Sequence, residues 1–75
     1  MKTDSKISTI LIKVNGDFKS IPQNISILKL LEVYKINKDG VVIELNKVIL
    51  KKKDFESTIL KEKDELEIVT FVGGG

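Results

Sequence analysis

Hydrophobic and polar residues alternate near the start of the chain, and this alternation predicts a β-strand. The stretch Ile7 to Val14 is rich in β-branched residues, and Ile10 and Ile12 fall on the face opposite Lys13. A period of two is typical of a strand with one buried face. The first strand is therefore predicted over Ile7 to Val14.

The pair Asn15-Gly16 follows this strand and predicts a tight hairpin. Both residue types tolerate the positive φ angles of a type I′ turn, so Asp17 to Ile21 is expected to return antiparallel to the first strand. This hairpin sets Ile10 opposite Ile21. It also sets Lys19 opposite an apolar residue, so the phase of the second strand stays open.

The apolar spacing then changes to that of a helix. Ser26 can act as the N-cap, and one main helix is predicted from there to about Lys35. The turn-prone residues Asn37 to Gly40 are expected to end it, with Gly40 suited to a positive φ. The predicted buried stripe, at positions i, i+3, i+4 and i+7, is Ile27, Leu30, Leu31 and Tyr34.

Alternation returns in the second half of the chain, where three more strands are predicted. They run from Val41 to Asn46, from Val48 to Leu50 and from Glu65 to Phe71. A charged turn, Lys61 to Asp64, precedes the last one. The irregular segment before that turn is expected to fill the core with Phe55, Ile59 and Leu60.

The last predicted strand leaves two apolar side chains without an internal partner. Leu66 and Ile68 alternate onto the inner face, so Val69 and Phe71 fall on the opposite face with Glu67. Exposed apolar residues of this kind are candidates for docking a partner protein.

The order of these elements predicts an α+β fold. One helix that crosses a mixed four- to five-stranded sheet can bury its stripe on one sheet face, as in the β-grasp, or ubiquitin-like, roll. A ferredoxin-like fold is the alternative, but it needs a second helix that the pattern lacks. We therefore predict a flexible lead over residues 1–6, a β-grasp domain over residues 7–71 and a flexible glycine tail over residues 72–75.

Composition then narrows the possible functions. The chain has 75 residues, 41% of them hydrophobic, with no Cys and no His. Thiolate nucleophiles, imidazole bases and the usual zinc ligands are therefore missing, so we expect no catalysis of its own, no metal site and no stably bound cofactor. The net charge of +2 is too small to point to any particular class of partner.

Two further features of the sequence argue against binding to nucleic acid and to membranes. The run Lys51-Lys52-Lys53 lies beside acidic residues and lacks aromatic platforms, so a solvated loop is favoured over a nucleic-acid site. The apolar run Ile7 to Ile12 is interrupted by Ser8 and Thr9 and is too short for a signal peptide or a membrane span. We expect a cytoplasmic protein that binds neither nucleic acid nor membrane.

The sequence ends in Val72-Gly73-Gly74-Gly75, which favours a chemical role for the tail over a frayed terminus. Glycines lack Cβ atoms, so Gly73 and Gly74 can thread through a narrow channel in a partner, each spanning about 3.3 to 3.6 Å. The open carboxylate of Gly75 can attack the α-phosphate of ATP when another protein aligns the two. A persulfide sulfur can then attack the acyl-adenylate and displace AMP, and reductive cleavage of the sulfur–sulfur bond leaves a thiocarboxylate.

Several stretches match a known family when they are taken together and in order. Across nearly the whole chain they resemble the ThiS family, the ubiquitin-like sulfur carriers of thiamine biosynthesis. The matching stretches are Val14-Asn15-Gly16-Asp17, Leu28 to Leu31, Val42-Ile43-Glu44-Leu45-Asn46, Asp64-Glu65-Leu66-Glu67-Ile68-Val69 and Phe71-Val72-Gly73-Gly74-Gly75.

The resemblance implies partners and roles. A ThiF-like adenylyltransferase would adenylate Gly75 with ATP, a cysteine desulfurase would supply the sulfur, and the thiazole synthase ThiG would receive it. Docking would map onto Val69, Phe71 and Val72. The sequence departs from the family at Lys63, where a glycine is usual, which puts the form of that turn in doubt.

Other functions stay open at this point. Molybdopterin-synthase small subunits usually carry a proline before their final glycines, and Thr70-Phe71-Val72 has none, which favours thiazole as the destination of the sulfur. Other ubiquitin-like sulfur carriers and a noncovalent ubiquitin-like interaction module remain alternatives.

Overall fold

The computed structural model describes residues 8–71, which form one five-stranded mixed sheet, one α-helix and two 3₁₀ turns. The elements are β1 Thr9–Val14, β2 Asp17–Pro22, α1 Ile27–Val33, a 3₁₀ turn Lys38–Gly40, β3 Val41–Leu45, β4 Val48–Leu50, a 3₁₀ turn Lys52–Asp54 and β5 Glu65–Thr70. The sheet order is β2-β1-β5-β3-β4; β1 and β5 are parallel, and the other neighbours are antiparallel.

This arrangement confirms the predicted β-grasp roll. The predicted lead over residues 1–6, residue Ile7 and the tail over residues 72–75 lie outside the described residues. The domain boundaries therefore stay a prediction.

The first hairpin has the predicted geometry. Asn15 and Gly16 adopt φ angles of 51° and 88°, as a type I′ turn requires. Ile10 pairs with Ile21, and Ile21 is the one buried residue of β2. The phase of β2 is thereby fixed.

The core lies on one face of the sheet, beneath α1. The Ser26 hydroxyl caps the helix by accepting the Lys29 amide at 3.0 Å. Among the described residues, thirteen hydrophobic side chains from the sheet, the helix and the loops are buried together: Ile12, Val14, Ile21, Ile25, Ile27, Leu30, Leu31, Val41, Ile43, Phe55, Leu60, Leu66 and Ile68.

The end of the helix differs from the prediction. α1 ends at Val33, and Tyr34 is exposed at the edge of the predicted stripe. Lys35 takes a left-handed φ of 60°, so the Ile36 amide turns back to donate to the Leu31 carbonyl at 2.8 Å. The positive φ expected at Gly40 is therefore found at Lys35, and Gly40 lies in a 3₁₀ turn instead.

Three smaller predictions are also corrected. β3 ends at Leu45, because Asn46 and Lys47 form a second tight turn with φ angles of 53° and 73°. Ile59 is exposed rather than buried. Its backbone forms a β-bridge with Ser26, so successive side chains alternate as in a strand, and Leu60 points into the core instead. The last strand, β5, ends one residue before Phe71.

Candidate functional site

Strand β5 leads to the glycine tail, and the side chain of Asn15 holds it in place. The Asn15 side-chain amide donates to the Ile68 carbonyl at 3.0 Å, and its oxygen accepts the Ile68 amide at 2.7 Å. The Asn15 backbone amide also donates to the Leu66 carbonyl at 2.8 Å. The side chain thus extends the pairing of β1 with β5 beyond the end of β1.

A second asparagine holds the start of the same strand from the other side. Asn46 lies in the turn between β3 and β4, and its side-chain oxygen accepts the Glu65 amide at 2.9 Å. Its side-chain amide donates to the Asp64 carboxylate at 3.0 Å, and its backbone amide donates to the Glu65 carbonyl at 2.8 Å. Both hairpin turns are therefore tied to β5, which fixes the direction in which this strand leaves the sheet.

The far end of β5 is also fixed. The Phe71 amide donates to the Gly40 carbonyl at 3.0 Å, one step beyond the last paired strand residue. The four residues of the tail follow directly. The position of the last described residue relative to the sheet is therefore fixed.

An apolar surface surrounds this exit point, and we call it the exit patch: Val42, Val69 and Phe71. Val42 and Val69 are paired across β3 and β5, and Phe71 follows on the same outer face by strand alternation. Their exposed fractions are 41%, 57% and 50% respectively. Within residues 8–71 the exit patch faces away from the core, so its apolar area is available to a partner.

An open cavity of about 500 Å³ lies next to the exit patch, between the end of α1 and the end of β5. Its wall includes Ile36, Phe71 and Asp39. The Lys52 ammonium donates to the Asp39 carboxylate at 2.6 Å, and this hydrogen bond and the charge of Lys52 lower the pKa of Asp39. The ion pair joins the two 3₁₀ turns at the edge of the cavity.

A pair of acidic side chains borders the exit patch on the outer face. Glu44 and Glu67 lie directly opposite each other on β3 and β5. The ion pairs found within residues 8–71 include neither of them. Two like charges in this position repel each other.

The sequence placed part of this surface correctly. It predicted that Val69 and Phe71 are exposed on the outer face, and they are. Val72, Gly73, Gly74 and Gly75 lie outside the described residues, so their roles stay predictions.

Sequence reasoning missed Val42, Asn15 and Asn46 as parts of the site. The alternation of β3 puts Val42 on the outer face, but only the sheet order brings it beside Val69. The two asparagines were interpreted as turn and strand-end residues. Their spacing from β5 along the chain gives no local signal of contact.

No group of three or more acidic side chains within residues 8–71 could hold a metal ion. No helix in the same range has the length and apolar character that a membrane crossing requires.

Comparison with protein families matches the ThiS family over residues 8–75. Two relatives illustrate the range of similar sequences. A Pyropia yezoensis chain named uncharacterized protein ycf40 is 40% identical over 68 residues, which is 91% of this chain and 96% of that one. The sulfur carrier protein ThiS of Bacillus subtilis strain 168 is 36% identical over 66 residues, which is 87% of this chain and 100% of that one.

Solved structures agree with these matches. The crystal structure of a thiamine biosynthesis protein, ThiS, from Geobacter metallireducens superposes with a TM-score of 0.75 at 29% identity. The superposition covers 88% of this chain and 100% of that one. The sheet order and the helix therefore match a structure with related sequence as well as related shape.

Proposed function

The chain belongs to the ThiS family of sulfur carriers, and on that premise we propose that it delivers sulfur to the thiazole of thiamine as a thiocarboxylate on Gly75. One observation carries the proposal: β5 is fixed on both sides and ends beside the exit patch, five residues before Gly75. A fixed exit and an apolar docking surface are what a partner needs to guide the tail into its own active site. The proposal requires Gly75 to carry a free carboxylate.

The proposed chemistry takes place in three steps. The Gly75 carboxylate attacks the α-phosphate of ATP, so that pyrophosphate leaves and an acyl-adenylate forms. The terminal sulfur of a protein persulfide then attacks the acyl carbon and displaces AMP, which gives an acyl disulfide. A thiol reduces the sulfur–sulfur bond and is itself oxidised to a disulfide, leaving the thiocarboxylate on Gly75.

Partner enzymes supply the catalysis in this scheme. We propose a ThiF-like adenylyltransferase as the activating enzyme, a cysteine desulfurase as the source of the persulfide and the thiazole synthase ThiG as the acceptor. The chain acts as a protein co-substrate with no stably bound cofactor, and ATP binds to the adenylyltransferase. We propose the cytoplasm as the compartment, since ATP and cysteine, the ultimate sulfur source, are both available there.

Docking is proposed to use Val69, Phe71 and Val72, with the neighbouring Glu44 and Glu67 facing basic side chains of the partner. The support comes from the exposure of Val69 and Phe71 and from the acidic pair beside them, which forms no ion pair with the residues that the structure describes. Gly73 and Gly74 would then thread toward the bound nucleotide, because a chain without side chains fits a narrow channel.

Intact-mass spectrometry tests the chemistry. Incubation of the full chain with ATP, the adenylyltransferase and a persulfide source should replace one oxygen by sulfur, and fragmentation should place the change on Gly75. A variant without Gly75 should remain folded and show no mass change. An unchanged mass of the full chain beside a modified Bacillus subtilis ThiS control would contradict the proposal.

A matched pair of variants tests the docking surface. Val69 and Val33 are both 57% exposed, but Val33 lies on α1, away from the exit patch. Val69→Asp should lower kcat/KM for adenylation by at least about tenfold, because a carboxylate replaces buried apolar contact at the interface. Val33→Asp should leave it within about twofold. Equal effects of the two variants would show that the exit patch does not dock the enzyme.

A further inference from the structure

Strand β2 forms one edge of the sheet, and its backbone groups can be assigned a direction. The amide of Lys13 in β1 donates to the Asp64 carbonyl, and the amide of Asn15, directly after β1, donates to the Leu66 carbonyl, so both residues point toward β5. The backbone groups of the β1 residues that alternate with these therefore point toward β2. By the pairing register, the amides and carbonyls of Phe18 and Ser20 point away from β1, toward the open edge.

The open edge is accessible within the described part of the chain. No strand formed by residues 8–71 pairs with the outer side of β2. Asp17 through Ser20 are exposed, and Phe18 is 65% exposed. The Lys13 ammonium lies over the Phe18 ring, 5.2 Å from its centroid. A short edge of this kind is a template for another strand.

The sequence of the edge is complementary to itself. Asp17 and Lys19 carry opposite charges and flank Phe18. When two such strands lie antiparallel with Phe18 opposite Phe18, Asp17 of each copy faces Lys19 of the other. The two rings then form a cross-strand aromatic pair on the outer face.

We propose that the chain forms a twofold symmetric dimer through β2, with Phe18 at the axis and two Asp17 to Lys19 pairs on either side. The symmetry is isologous, so one surface serves both copies. The amide and carbonyl of Phe18 point outward and form the two central hydrogen bonds of the new ladder.

Other registers fit less well. A ladder centred on Lys19 sets two ammonium groups opposite each other. A ladder centred on Ser20 sets Phe18 opposite Pro22, which has no amide hydrogen to donate. Charge and hydrogen bonding therefore both favour the ladder centred on Phe18.

The dimer would leave the tail chemistry unobstructed. β2 and the exit patch are separated by β1 and β5 in the sheet order. A twofold axis perpendicular to the sheet joins the two sheets into one of ten strands, with both exit patches on the same face and the two tails at opposite ends. The interface thus goes beyond the carrier function and does not depend on it.

Charge exchange between copies tests the register. Asp17→Lys sets a second ammonium group against Lys19 of the other copy, and Lys19→Asp sets two carboxylates against each other, so each variant should weaken dimerisation by at least about tenfold. An equimolar mixture of the two variants pairs an ammonium with a carboxylate only when one copy of each comes together. In that mixed dimer both contacts join a lysine to an aspartate, so the mixture should dimerise about as well as the wild type although neither variant does so alone.

The double variant Asp17→Lys with Lys19→Asp completes the test. It restores an opposite-charge pair at both contacts of the symmetric dimer with the order of charges reversed. Sedimentation velocity over a concentration series should show dimers for the wild type and for the double variant at concentrations where each single variant is monomeric.

Two helix variants control for net charge. Glu32→Lys changes the charge as Asp17→Lys does, and Lys29→Asp changes it as Lys19→Asp does, but both positions lie on α1. Each should dimerise like the wild type, and circular dichroism should show that all of the variants are folded. A wild type that stays monomeric up to millimolar concentration, or a double variant that does not recover the dimer, would overturn the proposal.

Discussion

Asn15 and Asn46 show how one residue type does two tasks at once. Each takes a left-handed φ in a hairpin turn, which asparagine tolerates, and each uses its side chain to bond the backbone of β5. Aspartate at either position lacks the amide donor, and glycine lacks both polar groups. The two turns therefore depend on asparagine for contacts as well as for backbone shape.

Asn15→Gly isolates the contribution of the Asn15 side chain, because glycine keeps the left-handed φ. The partly buried amide and carbonyl of Ile68 would lose their partners. We expect the free energy of unfolding to fall by about 1–3 kcal/mol. Urea denaturation measures the change.

Asn46→Gly is the comparison for this prediction. Its side-chain bonds are exposed, so water can replace them, and the expected loss is about 1 kcal/mol or less. A loss at Asn46 larger than that at Asn15 would contradict the assignment of the stronger contact to Asn15.

The ion pair of Asp39 and Lys52 predicts a pH dependence. Because the pKa of Asp39 is lower in the folded chain than in the unfolded chain, its stabilising contribution is present above the unfolded pKa. It is lost as the pH falls through the folded pKa. The stability difference between the wild type and Asp39→Asn should therefore be present at neutral pH and vanish in acid.

Urea midpoints of both proteins at several pH values measure this difference. High salt should reduce it at neutral pH, since the pair is exposed to solvent. A difference that grows on acidification would mean that Asp39 stabilises the fold in its protonated form.

At the scale of the elements, the turn before β5 contains a residue with a strained backbone conformation. Lys63 has a φ of 73°, and its amide donates to the Leu11 carbonyl at 2.8 Å. A glycine, which the resemblance noted in the sequence implies at this position, would take this conformation without a Cβ clash. The turn forms nonetheless, with a lysine in a left-handed position.

Lys63→Gly is therefore expected to stabilise the fold. The relief of the left-handed conformation exceeds the entropy that glycine adds to the unfolded chain, and we expect a gain of up to about 1 kcal/mol in the free energy of unfolding. Thermal denaturation followed by circular dichroism measures it. Lys61→Gly, in the same loop and without a positive φ, should not stabilise.

The strands were predictable because their signals are local. Alternation placed β1, β4 and β5 to within two residues, and Asn15-Gly16 indicated the first hairpin with Ile10 opposite Ile21, but the phase of β2 stayed open until the strand pairing fixed it. The second tight turn, Asn46-Lys47, has no glycine, so its sequence indicated only the end of a strand. Ile59 was assigned to the core because it is apolar, whereas a backbone bridge decides which way it points.

The helix end and the site show the limit of local patterns. The apolar stripe continues to Tyr34, but the chain turns at Lys35, a residue type that gives no sign of a left-handed φ. For the site, alternation within β5 was enough to predict the exposure of Val69 and Phe71. Val42 joins them only through strand pairing between distant parts of the chain, which no local pattern shows.

Across the whole molecule, the outer face of the sheet combines apolar and acidic groups around the exit of the tail. Val42 and Val69 form one pair, and Glu44 and Glu67 form the next. Repulsion between the two carboxylates costs stability in the free protein. A basic partner surface would remove that cost on docking.

Glu67→Gln separates these two effects. Removing one charge should raise the free energy of unfolding by about 0.2–1 kcal/mol. It should also slow association with the adenylyltransferase and reduce the salt dependence of the association rate. Stopped-flow measurements at several ionic strengths test the second part. Glu56→Gln, on the loop after the second 3₁₀ turn, is the control and should leave the association rate unchanged.

The central position of β5 also has a mechanical consequence. An enzyme that grips the tail pulls on β5 along its length, and the strand is bonded to β1 on one side and to β3 on the other. These bonds are loaded in shear and must break together, whereas an edge strand peeled sideways loses its bonds singly. In the proposed function, a partner that draws the tail into a channel and later releases it would therefore leave the carrier folded.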